Sequence, residues 1–165
     1  MKTFKIIISS IALLVCISTV SLAQSKSQKN ARMKSLVDSR SFIFKPESAT
    51  PMSGGNIRLT SSYYEVRFLD DSLSSFLPYF GTAYRAQYGS TDSPLTFTSS
   101  DFSYETKTSS RGGQTVIVKL NKPSDPATLT LSISPSGYGT LQVNSVNRQP
   151  ISFYGTVEPV EKNKN

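Results

Sequence analysis

Strict alternation of apolar and polar residues is the feature that most limits what this chain can fold into. The clearest example is Thr128–Ser134, in which Leu129, Leu131 and Ile133 alternate with threonine and serine. Successive side chains of a β-strand point to opposite faces, so this period of two predicts a strand with one buried and one solvated face. Further segments that predict strands are Phe42–Phe44, Ile57–Thr60, Ser62–Leu69, Leu95–Thr98, Phe102–Thr108, Thr115–Leu120, Thr140–Val146 and Ile151–Val157.

Short stretches rich in glycine, proline and asparagine separate these segments and predict turns. They include Pro51–Asn56, Arg111–Gln114, Pro135–Gly139 and Asn147–Pro150, and Pro46 is expected to end the first strand. Parallel strands would need long crossover connections, usually helical, and the chain offers none between these segments. We therefore predict a mainly β (α+β) fold: a strongly curved antiparallel sheet or half-open barrel of seven or eight strands, within residues 41–157.

One short helix is predicted before the sheet. In Ala31–Arg40, Met33, Leu36 and Val37 have the i, i+3, i+4 spacing of a single helical face. So short a helix needs a packing partner, and it is expected to cover an end or an edge of the sheet. The polar segment Gln24–Asn30 and the charged tail Glu158–Asn165 are expected to be disordered.

The first 23 residues have the three parts of a secretory signal peptide. Lys2 and Lys5 precede the apolar run Ile6–Ile17, and Ser21-Leu22-Ala23 places small residues where a signal peptidase reads them. Cleavage is expected between Ala23 and Gln24, which gives a periplasmic or secreted protein. A lipid anchor at Cys16 is not expected, because Leu14-Val15 before it lacks the small residue of a lipobox.

Cleavage would change the composition in ways that matter for function. It leaves 142 residues (165 − 23), one domain's worth, and removes the single cysteine, so no disulfide can form. It also removes two lysines, which leaves 16 basic residues (18 − 2) against 11 acidic ones, a net charge of +5. Nucleic acid is not an expected partner of such a protein, but weak contact with an anionic envelope surface is. Six basic residues crowd the N-terminal segment: Lys26, Lys29, Arg32, Lys34, Arg40 and Lys45.

Several chemistries are absent from this sequence. It contains no histidine, and no cysteine would remain after cleavage, so Ser-His-Asp and Cys-His nucleophile systems are excluded. Zinc, copper and non-haem iron sites built on imidazole or thiolate are excluded for the same reason, and no cofactor is expected. A carboxylate-dependent hydrolase stays open if two of four acidic residues share a cleft. These are Asp70, Asp71, Asp101 and Glu105.

Aromatic residues concentrate in one stretch of the chain. Eight of the 17 lie between positions 63 and 88, around Ser75–Gly81 and the following Tyr84 and Tyr88. One interpretation is a stacking surface for a ligand. The other is that Phe76, Leu77 and Phe80 fill the core while a turn forms at Pro78 and Gly81.

A second specified segment is Asn147–Gly155. Pro150 forces extended geometry on the residue before it, which predicts a hairpin loop that leads into the last strand. Arg148 in this loop has two interpretations: it binds an anionic group bidentately, or it fixes the loop by internal pairing. The candidate binding residues from both segments are Tyr79, Phe80, Tyr84 and Arg148.

Together the two segments resemble a secreted family of Bacteroidota catalogued as domain of unknown function 4251. The resemblance rests on Leu77–Gly81 with Tyr84, and on Asn147-Arg148 with Ile151, Tyr154 and Gly155. It spans nearly all of the chain after the leader. It implies an antiparallel fold and an envelope or secreted location, and it supplies no activity or catalytic residues.

Three functional hypotheses follow from these observations. The first is a non-catalytic domain that binds a ligand or partner, or has a structural role, in the cell envelope. The second is a small barrel that carries an apolar ligand inside, as a lipocalin does. The third, an enzyme using carboxylates or tyrosines, depends on two acidic groups that converge in the fold.

Overall fold

The computed structural model describes residues 27–84, 93, 95–121 and 127–160. The predicted signal peptide with its Ala23–Gln24 cleavage site lies outside the described residues, as do Tyr88 and positions 161–165. Within the described part, one helix (α1, residues 27–38) precedes ten strands. No helix of this part is long and apolar enough to span a membrane.

The ten strands exceed the seven or eight expected, chiefly because the segment after Asp71 had not been predicted as a strand. They are β1 (Ser41–Pro51), β2 (Ile57–Arg58), β3 (Glu65–Leu69), β4 (Ser72–Leu77), β5 (Leu95–Ser99), β6 (Phe102–Thr108), β7 (Gln114–Leu120), β8 (Thr128–Ile133), β9 (Tyr138–Asn144) and β10 (Ile151–Pro159).

The strands form one antiparallel sheet that is curled into a nearly closed, barrel-like shape, as predicted. Its order is β5-β4-β3-β1-β10-β9-β8-β7-β6, with the two-residue β2 beside β1. Every pairing is antiparallel, so strand direction alternates across the sheet. As a result, the two edge strands β5 and β6 run in the same direction. Only residues 100–101 separate these edges. The chain therefore continues from one edge strand into the other through a bend rather than a reversal.

Asp101 is held at this bend by hydrogen bonds with Ser99 and Asn121. Asn121 Nδ2 donates to its Oδ1 at 2.9 Å, and the Asn121 backbone N–H donates to its carbonyl at 3.2 Å. The Asp101 N–H in turn donates to Ser99 Oγ at 3.2 Å. These bonds tie the corner to the end of β7, next to which β6 begins.

The core lies inside the curled sheet and follows the predicted alternation. Leu129, Leu131 and Ile133 are all buried, as expected for one face of β8. Phe42 stacks on Phe68 with ring centroids 4.4 Å apart. Inward side chains from α1 and from β1, β3, β4, β5, β7, β8, β9 and β10 belong to one contiguous hydrophobic cluster.

The first strand does not end at Pro46, contrary to expectation. β1 continues to Pro51 because its register against β10 shifts between Pro46 and Ser48, a bulge that accommodates a residue with no N–H donor. Gly155 is opposite Pro46, and a Cβ there would be 2.0 Å from the Lys45 carbonyl oxygen. The two strands approach so closely that only glycine fits at position 155.

The last strand also runs further than predicted. β10 extends to Pro159, so part of the expected disordered tail is paired. Glu158 pairs with Ile43 in the sheet, and Lys45 Nζ contacts Glu158 Oε2 at 2.7 Å. The tail residues at the start of Glu158–Asn165 are therefore held by the long β1.

Helix α1 covers one end of the barrel, as predicted, but its limits differ. It is already helical at residue 27 and ends at 38, whereas Ala31–Arg40 was predicted. Residues 27–30 are polar and mostly exposed, which is compatible with an additional helical turn before residue 31. Lys34 and Asp38 form an i, i+4 ion pair further along the helix. Met33 and Val37 are buried, and Tyr104 Oη donates to the Val37 carbonyl at 2.9 Å.

Candidate functional site

The structure brings the two specified segments together at the end of the barrel opposite α1. Ala83 and Arg148 form an isolated antiparallel bridge. The Tyr84 N–H donates to the Asn147 carbonyl at 2.8 Å, and the Gln149 N–H donates to the Thr82 carbonyl at 3.1 Å. We refer to residues 79–84 and 147–149 as the loop clamp.

The side chains of Tyr79 and Arg148 form contacts that hold the two loops of the clamp together. Tyr79 Oη is 3.0 Å from the Gln149 carbonyl oxygen and 3.1 Å from that of Thr82, and its ring packs against the core. The Arg148 guanidinium carbon is 5.7 Å from the centre of the Tyr79 ring, a cation–π contact. Gly81 leaves room for this ring, because a Cβ there would be 2.4 Å from Tyr79 Oη and the ring would have to shift. This arrangement supports the interpretation in which Arg148 fixes the loop.

Phe80 and Tyr84 lie on the surface of the clamp. Their side chains are 41% and 64% exposed, so the four predicted residues share one region but not one pocket. The expectation that Phe76, Leu77 and Phe80 all fill the core is wrong for the two phenylalanines. Leu77 faces inward on β4, and the period of two turns Phe76 outward, where it packs against Tyr64 with centroids 5.8 Å apart.

The carboxylates of the enzyme hypothesis occupy turns, a bend and an edge strand. Asp70 adopts a positive φ of 31° in the two-residue β3–β4 turn, Asp101 is bound at the corner, and Glu105 is on β6. These three residues and Asp71 are exposed, and none of the four lines either of the two grooves described below. In the described residues, no group of three or more potential metal ligands is present.

Several of the N-terminal basic residues have partners within the chain. Lys34 pairs with Asp38, and Lys45 pairs with Glu158. The Arg40 guanidinium lies over the Tyr104 ring at 4.8 Å. Half of the six-residue cluster is thus engaged in local contacts.

A groove that the sequence did not predict lies on the outer face of β7–β10. Tyr138 and Tyr154 stand at its side with rings inclined by only 4° and centroids 5.9 Å apart. Each ring is nearly half exposed, at 46% and 47%. The groove has a volume of about 500 Å³ and is lined by Ser109, Gly113, Gln114, Thr115, Ser132, Ile133, Ser134, Ser136, Tyr138, Gly139, Thr140 and Tyr154. We call it the hydroxyl groove.

A row of hydroxyl groups crosses four strands at this groove. Thr115 pairs with Ser132, Ser132 with Thr140, and Thr140 with Tyr154. Because these residues are directly opposite one another, their side chains project from the same face of the sheet. Neighbouring strands are about 4.8 Å apart, so the row extends over roughly 14 Å.

The hydroxyl groove contains no charged side chain among its lining residues. Gln114 precedes Thr115 on β7 and is 2% exposed, because the period of two turns its side chain to the inner face of the sheet. Thr108 Oγ1 donates to Gln114 Oε1 at 2.9 Å, which fixes the orientation of the carboxamide. Neutral donors and acceptors, flanked by two aromatic rings, therefore define the chemistry of this surface.

A second groove runs between α1 and the sheet. Its volume is about 580 Å³, and its walls include Lys29, Arg32, Met33, Leu36 and Glu158. Its mixed character follows from its position, since it is the seam where the helix packs on the barrel end.

The hydroxyl groove could not be predicted from local alternation. Alternation identifies the solvent-exposed face of each strand, but it does not show which residues of different strands become neighbours in the sheet. Thr115, Ser132, Thr140 and Tyr154 belong to four separate segments, and only register aligns them. The available signal was the absence of charge from the polar positions of Thr128–Ser134.

Comparison with known proteins gives a family and a fold. A family model described as "Domain of unknown function (DUF4251)" matches residues 24–157. No curated protein sequence matches the chain significantly. The fold is similar to the crystal structure of a DUF4251 family protein from Bacteroides eggerthii DSM 20697. That similarity has a TM-score of 0.57 at 14% identity, and it covers 82% of this chain and 91% of the other.

Proposed function

The chain belongs to the DUF4251 family, whose description assigns no activity, and from that premise we propose that it is an exported, non-catalytic domain that binds a ligand in the hydroxyl groove. The observation that carries the proposal is the groove itself, with parallel, half-exposed Tyr138 and Tyr154 beside uncharged polar side chains. Small-molecule sites combine such aromatic surface with a few placed polar groups.

Export is part of the proposal and rests on the sequence of Met1–Ala23. In a periplasmic or secreted location, cleavage after Ala23 yields a domain without thiol or imidazole groups. The nucleophilic and metal-assisted reactions that depend on those groups are then not open to it. Binding remains as the function that its surface residues support.

The clamp residues are the weaker alternative for a binding surface. Tyr79 and Arg148 are committed to contacts that hold the loops together, which leaves Phe80 and Tyr84 as exposed rings. A ligand there would meet two aromatic side chains without the ordered polar groups that fix its orientation.

A ligand carried inside the barrel is the second candidate, and the nearly closed shape is compatible with it. The inward side chains argue for the outer surface instead. Phe42, Phe44 and Phe153 are fully buried and pack in one cluster with the aliphatic residues of the other strands. An apolar ligand would have to displace these side chains, and protein interiors are in general packed as densely as organic crystals.

The test is an amide-resonance titration of the exported protein with the low-molecular-mass fraction of its host's envelope. We expect saturable shifts at Ser132, Thr140 and Tyr154. Thr140→Lys should abolish them by placing a charge in the groove, whereas Thr98→Lys on β5, equally exposed, should not. Shifts confined to Phe80 and Tyr84, or no saturable shifts, would contradict the proposal.

A further inference from the structure

Resting on the proposed function, we infer that the ligand of the hydroxyl groove is a neutral oligosaccharide. A sugar ring presents an apolar C–H face and a rim of hydroxyl groups that both donate and accept hydrogen bonds. The groove presents the complement of both features: parallel tyrosine rings at one side and a row of hydroxyls along its floor.

The row supplies groups that are ready to bind. Among the described residues, the side chains of Thr115, Ser132 and Thr140 form no hydrogen bond with another protein group. Each hydroxyl has one donor and two acceptor positions, as a sugar hydroxyl has. At roughly 14 Å, the row matches an extended chain of sugar rings better than a single ring, because the strands repeat the same group at each step of about 4.8 Å.

Tyr138 and Tyr154 supply the apolar contact. Two tyrosines offer rigid, amphipathic area at low entropic cost, because each has few rotatable bonds. As a diagonal cross-strand pair, they also stabilise β9 against β10, but that role does not require nearly half of each ring to be exposed beside a polar groove.

The absence of charge selects among saccharides. The chain as a whole is basic, yet the residues that line the groove include no lysine or arginine to pair with a uronate, sulfate or phosphate. Lys107 on β6 is opposite Thr115 and stands at one end of the row. Along the rest of the row, from Thr115 to Tyr154, a charged ligand would lose hydration without gaining an ionic partner. The expected ligand is therefore neutral.

The experiment titrates the exported protein with linear neutral hexasaccharides of glucose, mannose, galactose and xylose, followed by amide resonances. Oligogalacturonate and palmitate are the comparison probes. We expect at least one neutral sugar to shift Thr115, Ser132 and Thr140 saturably. Tyr154→Ala should weaken its binding about tenfold or more, as expected for a central aromatic contact. Tyr63→Ala, which removes a ring that is 79% exposed outside the groove, should leave the affinity unchanged.

The other outcomes separate the two proposals. If only oligogalacturonate or palmitate shifts the groove, the saccharide inference is overturned and groove binding stands. If no hexasaccharide shifts the groove, the inference is overturned, and the envelope-fraction titration decides groove binding by itself. Equal weakening by Tyr154→Ala and Tyr63→Ala would also overturn the inference, because it would mean that a general loss of stability causes the effect.

Discussion

The ionisation of Tyr104 is linked to the packing of helix α1 on the sheet. Burial raises its pKa to about 12, the nearby Arg40 guanidinium opposes the rise, and Asp38 adds to it. Its hydroxyl donates to the Val37 carbonyl at 2.9 Å, and its ring meets Phe68 edge-on at 6.4 Å. The protonated phenol is therefore a structural part of the contact between helix and sheet.

Stability should fall between pH 10 and 12 because of this tyrosine. A group whose folded pKa lies above its unfolded value stabilises the fold below the unfolded pKa, about 10, and loses that contribution as pH rises through the folded value. The loss should be about 1 to 2 kcal/mol, since the ring is partly exposed and solvent screens it. Urea unfolding at several pH values measures it.

Tyr104→Phe is the variant that tests this origin. It should lower stability at neutral pH by about 1 kcal/mol through the lost hydrogen bond, and it should flatten the decline above pH 10. Tyr63→Phe, on an exposed ring, should keep the parent's decline. An equally steep decline in Tyr104→Phe would assign the effect to other groups.

Single residues also show where the sequence was informative and where it was not. Gly81 and Gly155 were part of the family resemblance, but their physical reasons are tertiary: one faces Tyr79 Oη and the other faces the Lys45 carbonyl. No local pattern contains those distances. The excluded chemistries, by contrast, followed directly from residue types, because a missing histidine needs no structure to interpret.

At the scale of elements, alternation predicted most strands, and context decided the rest. β8 could be read from Thr128–Ser134 because one face is apolar throughout. β4 was not predicted because its inward residues, Leu73, Ser75 and Leu77, include a serine, and its outward residues include Phe76. Ser75 can be buried because its hydroxyl donates to the Leu95 carbonyl at 2.8 Å. The candidate site residues lie in two loops, 79–84 and 147–149, that pair with each other. The sequence did not predict this pairing because the loops are far apart along the chain.

The loop clamp makes a prediction at this scale. Tyr79→Phe removes the hydroxyl that contacts the Thr82 and Gln149 carbonyls but keeps the ring under Arg148. We expect a loss of about 1 to 2 kcal/mol in stability. Hydrogen exchange should accelerate at the Tyr84 and Gln149 amides, which bond across the clamp.

The control for the clamp is exchange at a distant strand and binding at the hydroxyl groove. The Val118 amide, in the middle of β7, should keep its relative protection in Tyr79→Phe. Ligand affinity in the groove should also be unchanged, because the clamp is at a barrel end. Unchanged exchange at Tyr84 and Gln149 would mean that the backbone bonds hold the loops without Tyr79.

For the whole molecule, closure is achieved by different means at different places. The two sheet edges are joined through the bend at Asp101, α1 covers one end, and the clamp lies at the other. The sequence predicted the curved sheet and its helix because patterning and turn residues agree. It could not predict that β1 inserts between β3 and β10, since that order depends on the pairing of β1 with β10, whose residues are 100 or more positions apart.

The helix at the barrel end is expected to be essential to the stability of the whole. Deleting residues 24–38 removes the buried Met33 and Val37 and uncovers the part of the core cluster to which they belong. At about 25 cal/mol per Å² of apolar surface, we expect a loss of roughly 3 to 6 kcal/mol. Urea denaturation measures this loss, and binding of a hydrophobic dye reports the uncovered end.

Two point variants distinguish the packing of the helix from its charge. Val37→Ala should cost roughly 1 to 3 kcal/mol, because it leaves a cavity against the barrel end. Lys34→Ala, which breaks only the exposed pair with Asp38, should change stability by less than about 0.5 kcal/mol. If the deletion and Val37→Ala both left the unfolding midpoint unchanged, α1 would be an attachment to the barrel rather than its cap. The opposite result would mean that the barrel and its helix unfold as one unit, because the inward face of α1 belongs to the same core as the sheet.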